Sequence, residues 1–380
     1  MYMYITETLD KGENTCCIYF DFRKAFDKVP HKRLINKLSA FGLSGNLKLW
    51  LSNFLTNRKH FVQIGNKHSA TNIQKSGIPQ GTILGPLLFI IYINDLPGIT
   101  QLSSLLFADD FKVFSSGNNF SMLQNELEKV GDWSKTWLLD FNYDKCCSIA
   151  FGNHCLLPEL KVNNHVIKPV ESQNDLGVII DKKLNFNEHI VHKVNKANKI
   201  LGIIRRSFCK LDNKSFINLY TGLVRSHLEY GVEVWFPHLY KHIDLIENVQ
   251  RRVNQTFIKL KAFISSRKTA PTQSPTLTYR RKRGDMIQTY KILNNYYNLN
   301  FRSLLHLKSS SSIRLLPRNN QLALFQEQSN KSVRQNFFSN RVTTLWNSLP
   351  NEVVLAPNLN SFKNRLDTYW SGIGFKFLYR

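Results

Sequence analysis

Residues 105–114 form the sequence LLFADDFKVF, in which two short apolar runs flank the acidic pair Asp109 and Asp110. Two such runs around a polar turn are typical of a tight β-hairpin. Another apolar run, residues 16–20, is predicted to form a buried strand that ends at Asp21. The sequence therefore predicts three carboxylates at the ends of strands.

Helical patterns surround these strands. Leu34 and Leu38 recur at helical spacing, and Pro86 lies near the start of an almost wholly apolar stretch, which is typical of a buried helix. One more strand is predicted at residues 146–151. The order of strand, helices, strand pair, helix and strand indicates an α+β fold in which helices cover one face of an antiparallel sheet.

The sequence becomes mainly helical after Asn187. Five apolar residues keep the helical period, namely Ile190, Val194, Ala197, Leu201 and Ile204. Other positions of the same helix are basic, including Lys193, Lys196, Arg205 and Arg206. A Ser/Thr/Pro-rich stretch further along has the composition of a linker. We therefore divide the chain into an α+β part at 1–155, a mainly helical part at 156–264, a linker at 265–278 and a helical C-terminal region at 279–380.

The chain is strongly basic. Its 380 residues contain 51 Lys and Arg against 27 Asp and Glu, which gives a net charge of +24 at pH 7. Such an excess of positive charge favours partners that are phosphate polyanions. The longest apolar run, residues 83–93, is too short to span a bilayer, so no membrane segment is expected.

The cysteines do not indicate a metal site. The chain has six, none in a CxxC pair or at zinc-finger spacing: Cys16, Cys17, Cys146, Cys147, Cys155 and Cys209. Adjacent cysteines in apolar runs are usually reduced core residues. We therefore expect no zinc and an intracellular setting, in the cytoplasm or the nucleus.

The three acids carry a chemical expectation. Carboxylates at the ends of buried strands have a large desolvation cost unless a cation compensates it. Asp21, Asp109 and Asp110 would also repel one another in an empty site. Mg²⁺ relieves both costs, because it prefers carboxylate oxygens and takes further ligands from substrate phosphates. We therefore expect two Mg²⁺ ions, replaceable by Mn²⁺, that stabilise an attacking hydroxyl oxygen and a leaving pyrophosphate oxygen.

Several segments of the chain resemble a known family. They are FDFRKAFDKV at 20–29, SGIPQGTILGPLLF at 76–89, FADD at 107–110, NYDK at 142–145 and DLGV at 175–178. In this order and spacing they resemble the palm motifs, and the segment leading into the thumb, of reverse transcriptases from non-LTR retrotransposons. Segments within 228–252, 280–287 and 337–350 resemble the C-terminal region of jockey-like elements.

The resemblance implies a polymerase palm followed by a helical thumb, and it implies roles for individual residues. Asp21 and Asp109 would hold the catalytic ions, with Asp110 beside them. Lys145 would donate a proton to the leaving pyrophosphate, since an ammonium can both neutralise and protonate it. A solvated turn lysine is the alternative interpretation of Lys145.

The resemblance also implies contacts with substrates. Phe22, Phe26, Gln80 and Gly81 would border the incoming nucleotide. The ring of Phe26 occupies the position of the family's steric gate, which would exclude a ribose 2′-hydroxyl, and glycine at position 81 allows close backbone approach. The basic residues of the helix after Asn187 would contact duplex phosphates.

The implied function is RNA-directed DNA polymerisation, in which deoxynucleotides are added to a DNA primer on an RNA template. Twenty residues precede Asp21, where the family carries fingers that contact the triphosphate. We therefore expect an N-terminally truncated chain with weakened catalysis. The alternative is a non-catalytic nucleic-acid-binding remnant of a retrotransposon polyprotein. A viral RNA-templated RNA polymerase would share the carboxylates, but Phe26 argues against it.

Overall fold

The computed structural model describes residues 1–117, 120–152, 159–208, 211–262, 275–297, 304–308 and 322–375. Contacts divide the chain into two compact units, one of residues 3–171 with Met1 and one of residues 172–380 with Tyr2. The predicted boundary after residue 155 lies earlier than this division. The roles assigned to the four predicted segments stay predictions.

The first unit contains short and long strands and several helices. The strands are β1 (Thr15–Phe20), β2 (Lys59–His60), β3 (Gln63–Ile64), β4 (Lys67–His68), β5 (Asn72–Ile73), β6 (Ser103–Phe107), β7 (Asp110–Ser116), β8 (Cys147–Phe151), β9 (Lys161–Val162), β10 (His165–Val166) and β11 (Lys168–Pro169). The helices are α1 (Tyr2–Asp10), α2 (Ala25–Lys28), α3 (His31–Ala40), α4 (Gly45–Leu55), α5 (Leu84–Ile93) and α6 (Phe120–Trp137), with a 3-10 turn at Leu96–Ile99.

A five-stranded sheet in the order β11-β8-β1-β7-β6 is the centre of the first unit. Its neighbouring strands are antiparallel, except that β11 runs parallel to β8. The hairpin predicted at residues 105–114 is confirmed as β6 and β7, which are joined by Ala108 and Asp109. The strands predicted at 16–20 and 146–151 are β1 and β8.

Helices α3, α5 and α6 cover one face of this sheet. Side chains from β1, β7, α3, α5 and α6 share one apolar core, which includes Ile18, Phe20, Val113, Leu34, Phe89 and Leu127. Removing this apolar surface from water is the main favourable term in folding. The α+β fold predicted from the sequence is confirmed.

The opposite face of β1 is also covered. The ring of Tyr4 in α1 packs edge-on against Phe114 with centroids 5.0 Å apart. The hydroxyl of Thr8 lies 2.5 Å from that of Thr15. All six residues of β1 are consequently buried, which explains why its sequence shows an apolar run instead of an alternating pattern.

The buried helix predicted after Pro86 is present as α5, but it is buried on one side only. Phe89 and Tyr92 lie in the core, whereas Leu87 is 52% exposed and Ile90 is 48% exposed. The sequence concealed this difference, because the helix has no polar face to mark the exposed side. None of the helices in the described part of the chain, α5 included, is long and apolar enough to cross a membrane.

The second unit is mainly helical. Its elements are β12 (Ser172–Asp175), β13 (Val178–Asp181), α7 (Asn187–Ser207), α8 (Asn213–Leu219), a π-helix at Tyr220–Arg225, α9 (Ser226–Glu229), α10 (Val232–Trp235), α11 (Tyr240–Ala262), α12 (Leu277–Leu293), α13 (Ser332–Gln335), α14 (Phe338–Asn347), α15 (Asn351–Val354) and α16 (Leu359–Gly372). The apolar period predicted after Asn187 is confirmed in α7, where all five of its members are buried.

Helix α12 begins inside the predicted linker. The Glu247 carboxylate accepts hydrogen bonds from the backbone N–H groups of Leu277, at 3.2 Å, and Thr278, at 2.6 Å. A carboxylate at a helix N-terminus satisfies donors that have no partner within the helix. Residues 277 and 278 are therefore helical, while the predicted linker residues 265–274 lie outside the described residues.

The C-terminal helices share a second apolar core. The rings of Tyr290 and Phe362 stack with centroids 4.4 Å apart, and Trp346 and Trp370 are buried in the same cluster. Aromatic rings of this size provide much buried area in a small number of residues. Helices α12, α14 and α16 are held together by this core.

The cysteines described by the structure are buried thiols, as predicted. These are Cys16, Cys17, Cys146 and Cys147, whereas Cys155 and Cys209 lie outside the described residues. Burial raises the pKa of Cys146 and Cys147 to about 11, so both stay protonated at neutral pH.

Helix α7 also buries a histidine. The side chain of His189 is 0% exposed, and its Nδ1 accepts the backbone N–H of Ile179 at 3.0 Å. Its Nε2 has no hydrogen-bond partner among the described residues. Burial, followed by the nearby charges of Lys193 and His192, lowers the pKa of His189 from 6.5 to about 4. The imidazole is therefore neutral in the folded protein at pH 6.

We predict that acidification destabilises the fold through His189. The unfolded chain binds a proton at this ring below about pH 6.5, whereas the folded chain binds it only near pH 4. The stabilisation is therefore complete above pH 6.5 and is lost as the pH falls towards 4, by at most about 3 kcal/mol. The free energy of urea unfolding, measured across this range, tests the prediction.

His189→Asn is the matched control, because its amide oxygen can accept the Ile179 N–H but does not titrate. The wild-type protein should lose more stability than this variant between pH 6.5 and 4. Other histidines with a lowered pKa are present in both proteins, namely His227, His238 and His242. Parallel pH curves for the two proteins would contradict the prediction.

Candidate active site

Asp21 directly follows β1, and the register of the sheet places it beside the acidic hairpin. Phe20 pairs with Phe111 of β7, so the next position of the same register sets Asp21 opposite Asp110. The buried rings of Phe20 and Phe111 lie 5.4 Å apart and hold the ends of the two strands together. Two of the predicted carboxylates therefore stand on neighbouring strands at the same end of the sheet.

Asp109 lies in the turn between β6 and β7. Phe107 pairs with Asp110 across the hairpin, which leaves Ala108 and Asp109 as the connecting residues. Ala108 has a φ of 51°, in the left-handed region that residues with a Cβ rarely adopt. Such strain persists where the surrounding structure enforces it, and it clusters at functional sites. The geometry favours a functional reason for this turn.

The acidic site is open to solvent. The side chain of Asp21 is 33% exposed, Asp109 is half-buried and Asp110 is exposed. Ions and a charged substrate can therefore reach the carboxylates without any part of the core being opened.

Lys145 approaches the site from the segment before β8. Its Nζ lies 3.5 Å from Oδ2 of Asp21, and its side chain is 68% exposed. The backbone N–H of Asn142 donates to the Asp21 carbonyl at 2.7 Å, which ties this segment to the end of β1. Lys145 thus places an ammonium close to a carboxylate of the site, and its role as a proton donor stays a prediction.

The loop at residues 76–81 is docked on helix α2. The backbone N–H of Ile78 donates to the Phe26 carbonyl at 2.7 Å, and the Ser76 hydroxyl donates to the Asp27 carbonyl at 3.0 Å. The contact is close at Gly77, where a Cβ would lie 2.7 Å from the Asp27 carbonyl oxygen. Only glycine fits there, and its φ of 97° requires glycine as well.

Gln80 is oriented by a residue to which the sequence analysis assigned no role. Its Nε2 donates to Oδ1 of Asp27 at 3.0 Å, so the amide is held in one orientation. Gly81 is exposed with a φ of 76°, and a Cβ at this position would meet open space. The need for glycine at position 81 is therefore conformational within this structure. No pattern in the sequence links Asp27 to Gln80, so their contact could be identified only from the structure.

The two phenylalanines predicted to contact the nucleotide differ in their surroundings. Phe26 is half-buried and stacks on Phe89 with centroids 4.5 Å apart. Phe22 is only 4% exposed and stacks on Phe141 at 4.8 Å. The ring of Phe22 is therefore enclosed in the core, and the predicted nucleotide contact of this residue stays a prediction. Its ring anchors the backbone next to Asp21 in the core.

The donor set fits a divalent metal whose coordination is completed by substrate. Within the described residues, no group of three or more His, Cys, Asp or Glu side chains is arranged to enclose an ion. Asp21 and Asp110 are opposed on adjacent strands and Asp109 is next to them, and all three offer hard oxygen ligands to solvent. Mg²⁺ commonly binds through one or two carboxylates and keeps its other positions for water and phosphates. Reverse transcriptases generally use divalent metal ions.

The predicted nucleic-acid contacts lie in the second unit. Lys196, Arg205 and Arg206 are exposed on α7. Lys193 is half-buried with its Nζ 5.8 Å from the ring centre of Tyr230, and burial together with Lys196 lowers its pKa. Three of the four cations are thus available to phosphates.

We compared the chain with protein-family models and with known proteins. A family model described as reverse transcriptase (RNA-dependent DNA polymerase) matches residues 3–203. The RNA-directed DNA polymerase from mobile element jockey of Drosophila funebris is 27% identical over 270 residues, and that of Drosophila melanogaster is 26% identical over 267 residues. Each alignment covers 66% of this chain but only 29% of the relative.

A solved structure of telomerase from Candida Tropicalis, in complex with a TWJ fragment of telomeric RNA, is also similar, with a TM-score of 0.40 and 11% sequence identity. The similarity covers 76% of this chain and 45% of that chain. The family match spans more than half of the present sequence and contains all the acidic residues of the site. The resemblance to non-LTR retrotransposon enzymes is confirmed, and the chain belongs to the reverse transcriptase (RNA-dependent DNA polymerase) family.

Proposed function

We propose that this chain is the catalytic core of an RNA-directed DNA polymerase that transfers deoxynucleotides to a primer 3′-hydroxyl. The observation that carries the proposal is the placement of Asp21 opposite Asp110, with Asp109 in the strained turn beside them. Three carboxylates at one end of a sheet repel one another, and bound cations would relieve this repulsion.

In the proposed reaction the carboxylates hold metal ions and the substrate supplies the remaining ligands. Asp21 and Asp109 would bind the ions, with Asp110 beside them. Two divalent ions, Mg²⁺ or Mn²⁺, when bound would stabilise charge on the attacking 3′-oxygen and on the leaving pyrophosphate. The exposure of the three side chains allows triphosphate and primer terminus to enter together.

Selection of the nucleotide would depend on the docked loop. Phe26 is fixed by its stack on Phe89, so its ring would form a rigid wall beneath the sugar and exclude a 2′-hydroxyl. Gln80 donates to Asp27 through Nε2, which leaves its Oε1 to face a substrate. Gly81 would allow the nucleotide or template to approach the backbone.

Lys145 would act on the leaving group. Its ammonium lies 3.5 Å from Asp21 and is exposed, so it can exchange this carboxylate for a pyrophosphate oxygen. Protonation of pyrophosphate by this lysine would complete the transfer.

The proposed substrates are an RNA template, a DNA primer and deoxynucleoside triphosphates, which places the reaction inside the cell, in the cytoplasm or the nucleus. Residues 1–155 would act as the palm and residues 156–264 as the thumb. Lys193, Lys196, Arg205 and Arg206 of α7 would neutralise duplex phosphates. The linker at 265–278 and the region at 279–380 have no role in this scheme.

A non-catalytic nucleic-acid-binding protein is the second candidate. It is favoured by the net charge of +24. It would bind RNA with a steep dependence on salt but would not incorporate nucleotides.

Replacing Asp109 should distinguish the two candidates. In primer extension on an RNA template with Mg²⁺ and deoxynucleotides, Asp109→Asn should lower the rate by roughly a hundredfold or more, since it weakens metal-mediated charge stabilisation. Asp132→Asn is the matched control, because this aspartate lies on α6 and pairs only with a neighbouring lysine in that helix. Equal incorporation by wild type and Asp109→Asn would refute the polymerase proposal. Binding by wild type without any incorporation would favour the second candidate.

The contact between Asp27 and Gln80 should affect nucleotide binding. Asp27→Ala should raise the KM for deoxynucleotide by about three- to tenfold, the value of one hydrogen bond, with a smaller effect on kcat. Asp27→Asn should retain most of the activity, because its amide oxygen can still accept from Gln80. The double variant with Gln80→Ala should be no worse than Gln80→Ala alone, because the side chain that Asp27 orients is already absent. Additive losses would show that the two side chains act independently.

A further inference from the structure

A hairpin between α4 and the docked loop projects from the first unit. Residues 58–75, called the basic hairpin below, include β2 to β5. The Gln74 N–H donates to the Arg58 carbonyl at 2.8 Å and the Ser69 N–H donates to the Val62 carbonyl at 2.9 Å, so the two pairs of strands form one continuous hairpin. Every residue from 59 to 73 is exposed. The hairpin is therefore available to a partner along its whole length.

The charge of this region has one sign. From residue 41 to residue 94 the sequence contains no Asp or Glu, but it contains Lys48, Arg58, Lys59, Lys67 and Lys75, together with His60 and His68. The lysines of the rest of this unit often have acidic partners, such as Asp140 for Lys28 and Glu159 for Lys161. None of the five Lys and Arg side chains named above forms an ion pair with a carboxylate of the described residues.

Apolar side chains are interleaved with these cations. Phe61 is 51% exposed, Val62 is 63% exposed and Ile64 is 79% exposed. In the strand register Ile64 stands opposite Lys67, and Lys59 stands opposite Ile73, which is 59% exposed. Each of these positive groups therefore lies beside an exposed apolar surface.

The surface continues onto α4. Trp50 is 52% exposed and stacks on Phe54, with centroids 5.8 Å apart. The guanidinium of Arg58 lies 5.8 Å from the ring centre of Phe54. The Phe54 ring therefore contacts both the exposed ring of Trp50 and the guanidinium of Arg58, the first cation of the basic hairpin.

We propose that the basic hairpin and Trp50 bind single-stranded nucleic acid. A solvated basic surface would need no exposed Phe61, Ile64 or Trp50, since exposed apolar groups have no favourable interaction with water. A single strand matches both features, because its phosphates pair with cations and its unstacked bases cover aromatic and apolar side chains. A duplex hides its base faces and would use the cations alone. The inference deepens the proposed function by assigning this surface to the RNA template.

The position of the hairpin in the chain supports this assignment. Lys75, its last cation, is followed directly by Ser76, whose hydroxyl is bonded to the carbonyl of Asp27. A strand bound along the basic hairpin would therefore lead to the loop that carries Gln80.

Fluorescence anisotropy with a labelled oligouridylate tests the proposal, with an RNA duplex of the same length as the second probe. The experiment uses the full chain with Asp109→Asn and with EDTA present, so that nucleotide transfer plays no part. The double variant W50A/F61A should weaken oligouridylate binding by about tenfold or more and leave duplex binding unchanged. The double variant K59Q/K67Q should reduce the slope of log affinity against log salt by about 1.4.

Matched controls distinguish the specific effect of the hairpin substitutions from the general effect of removing charges or an aromatic ring. The variant K135Q/K161Q removes two lysines that already pair with Asp132 and Glu159, and F325A removes a ring that is 55% exposed in the second unit. Both should bind oligouridylate like the parent protein.

Three results would overturn the proposal. One is an oligouridylate affinity and salt slope that do not change in the hairpin variants. Another is an equal loss of affinity for oligouridylate and duplex in W50A/F61A, which would mean that base contacts are absent. The third is intact RNA binding combined with the loss of a protein–protein association, which would identify this surface as a protein interface. EDTA removes divalent metal from the assay, so binding is measured without catalysis. Each result can therefore be interpreted even if the protein has no polymerase activity.

Discussion

The pairing of β1 with β7 is the constraint on which the site depends. A slip of one residue would turn every side chain of β1 to the other face and would separate Asp21 from Asp110. The slip is strongly opposed, because one face of β1 lies in the main core with Ile18 and the other is covered by α1 through Thr15. The buried apolar side chains of β1 thus determine the positions of the carboxylates, although they lie some distance away. The acidic end of the sheet can therefore stay exposed without loss of register.

The position of the loop at 76–81 depends on helix α2 and on the end of β1. The loop at 76–81 buries residues 77–79, with Ile78 in the main core, and it is positioned by hydrogen bonds to the backbone of α2. Helix α2 in turn follows the end of β1, where Phe22 is anchored on Phe141. The three aspartates, the Phe26 ring and Gln80 are therefore parts of one connected framework. Asp27 joins helix α2 to this loop, because its carboxylate accepts from Gln80 and its backbone carbonyl accepts from Ser76.

The sequence was sufficient for features with local causes. The hairpin around Asp109, the strand before Asp21 and the period of α7 follow from runs and spacings of apolar residues. The sequence was insufficient where the environment of a side chain depends on residues that are distant in the chain. Burial of Phe22 depends on Phe141, and the orientation of Gln80 depends on Asp27, 53 residues earlier in the chain. The exposed side of α5 was also hidden, because Leu87 and Ile90 are as apolar as the buried Phe89.

If Asp21 and the β6–β7 turn together bind a divalent metal, affinity cleavage should locate the ion. Fe²⁺ bound in place of Mg²⁺ generates hydroxyl radicals with ascorbate and peroxide, and these cut the polypeptide next to the ion. We expect cuts beside Asp21 and beside residues 108–110, with suppression by excess Mg²⁺ and loss in Asp21→Asn but not in Asp132→Asn. Cuts confined to other segments, or an unchanged pattern in Asp21→Asn, would contradict the account.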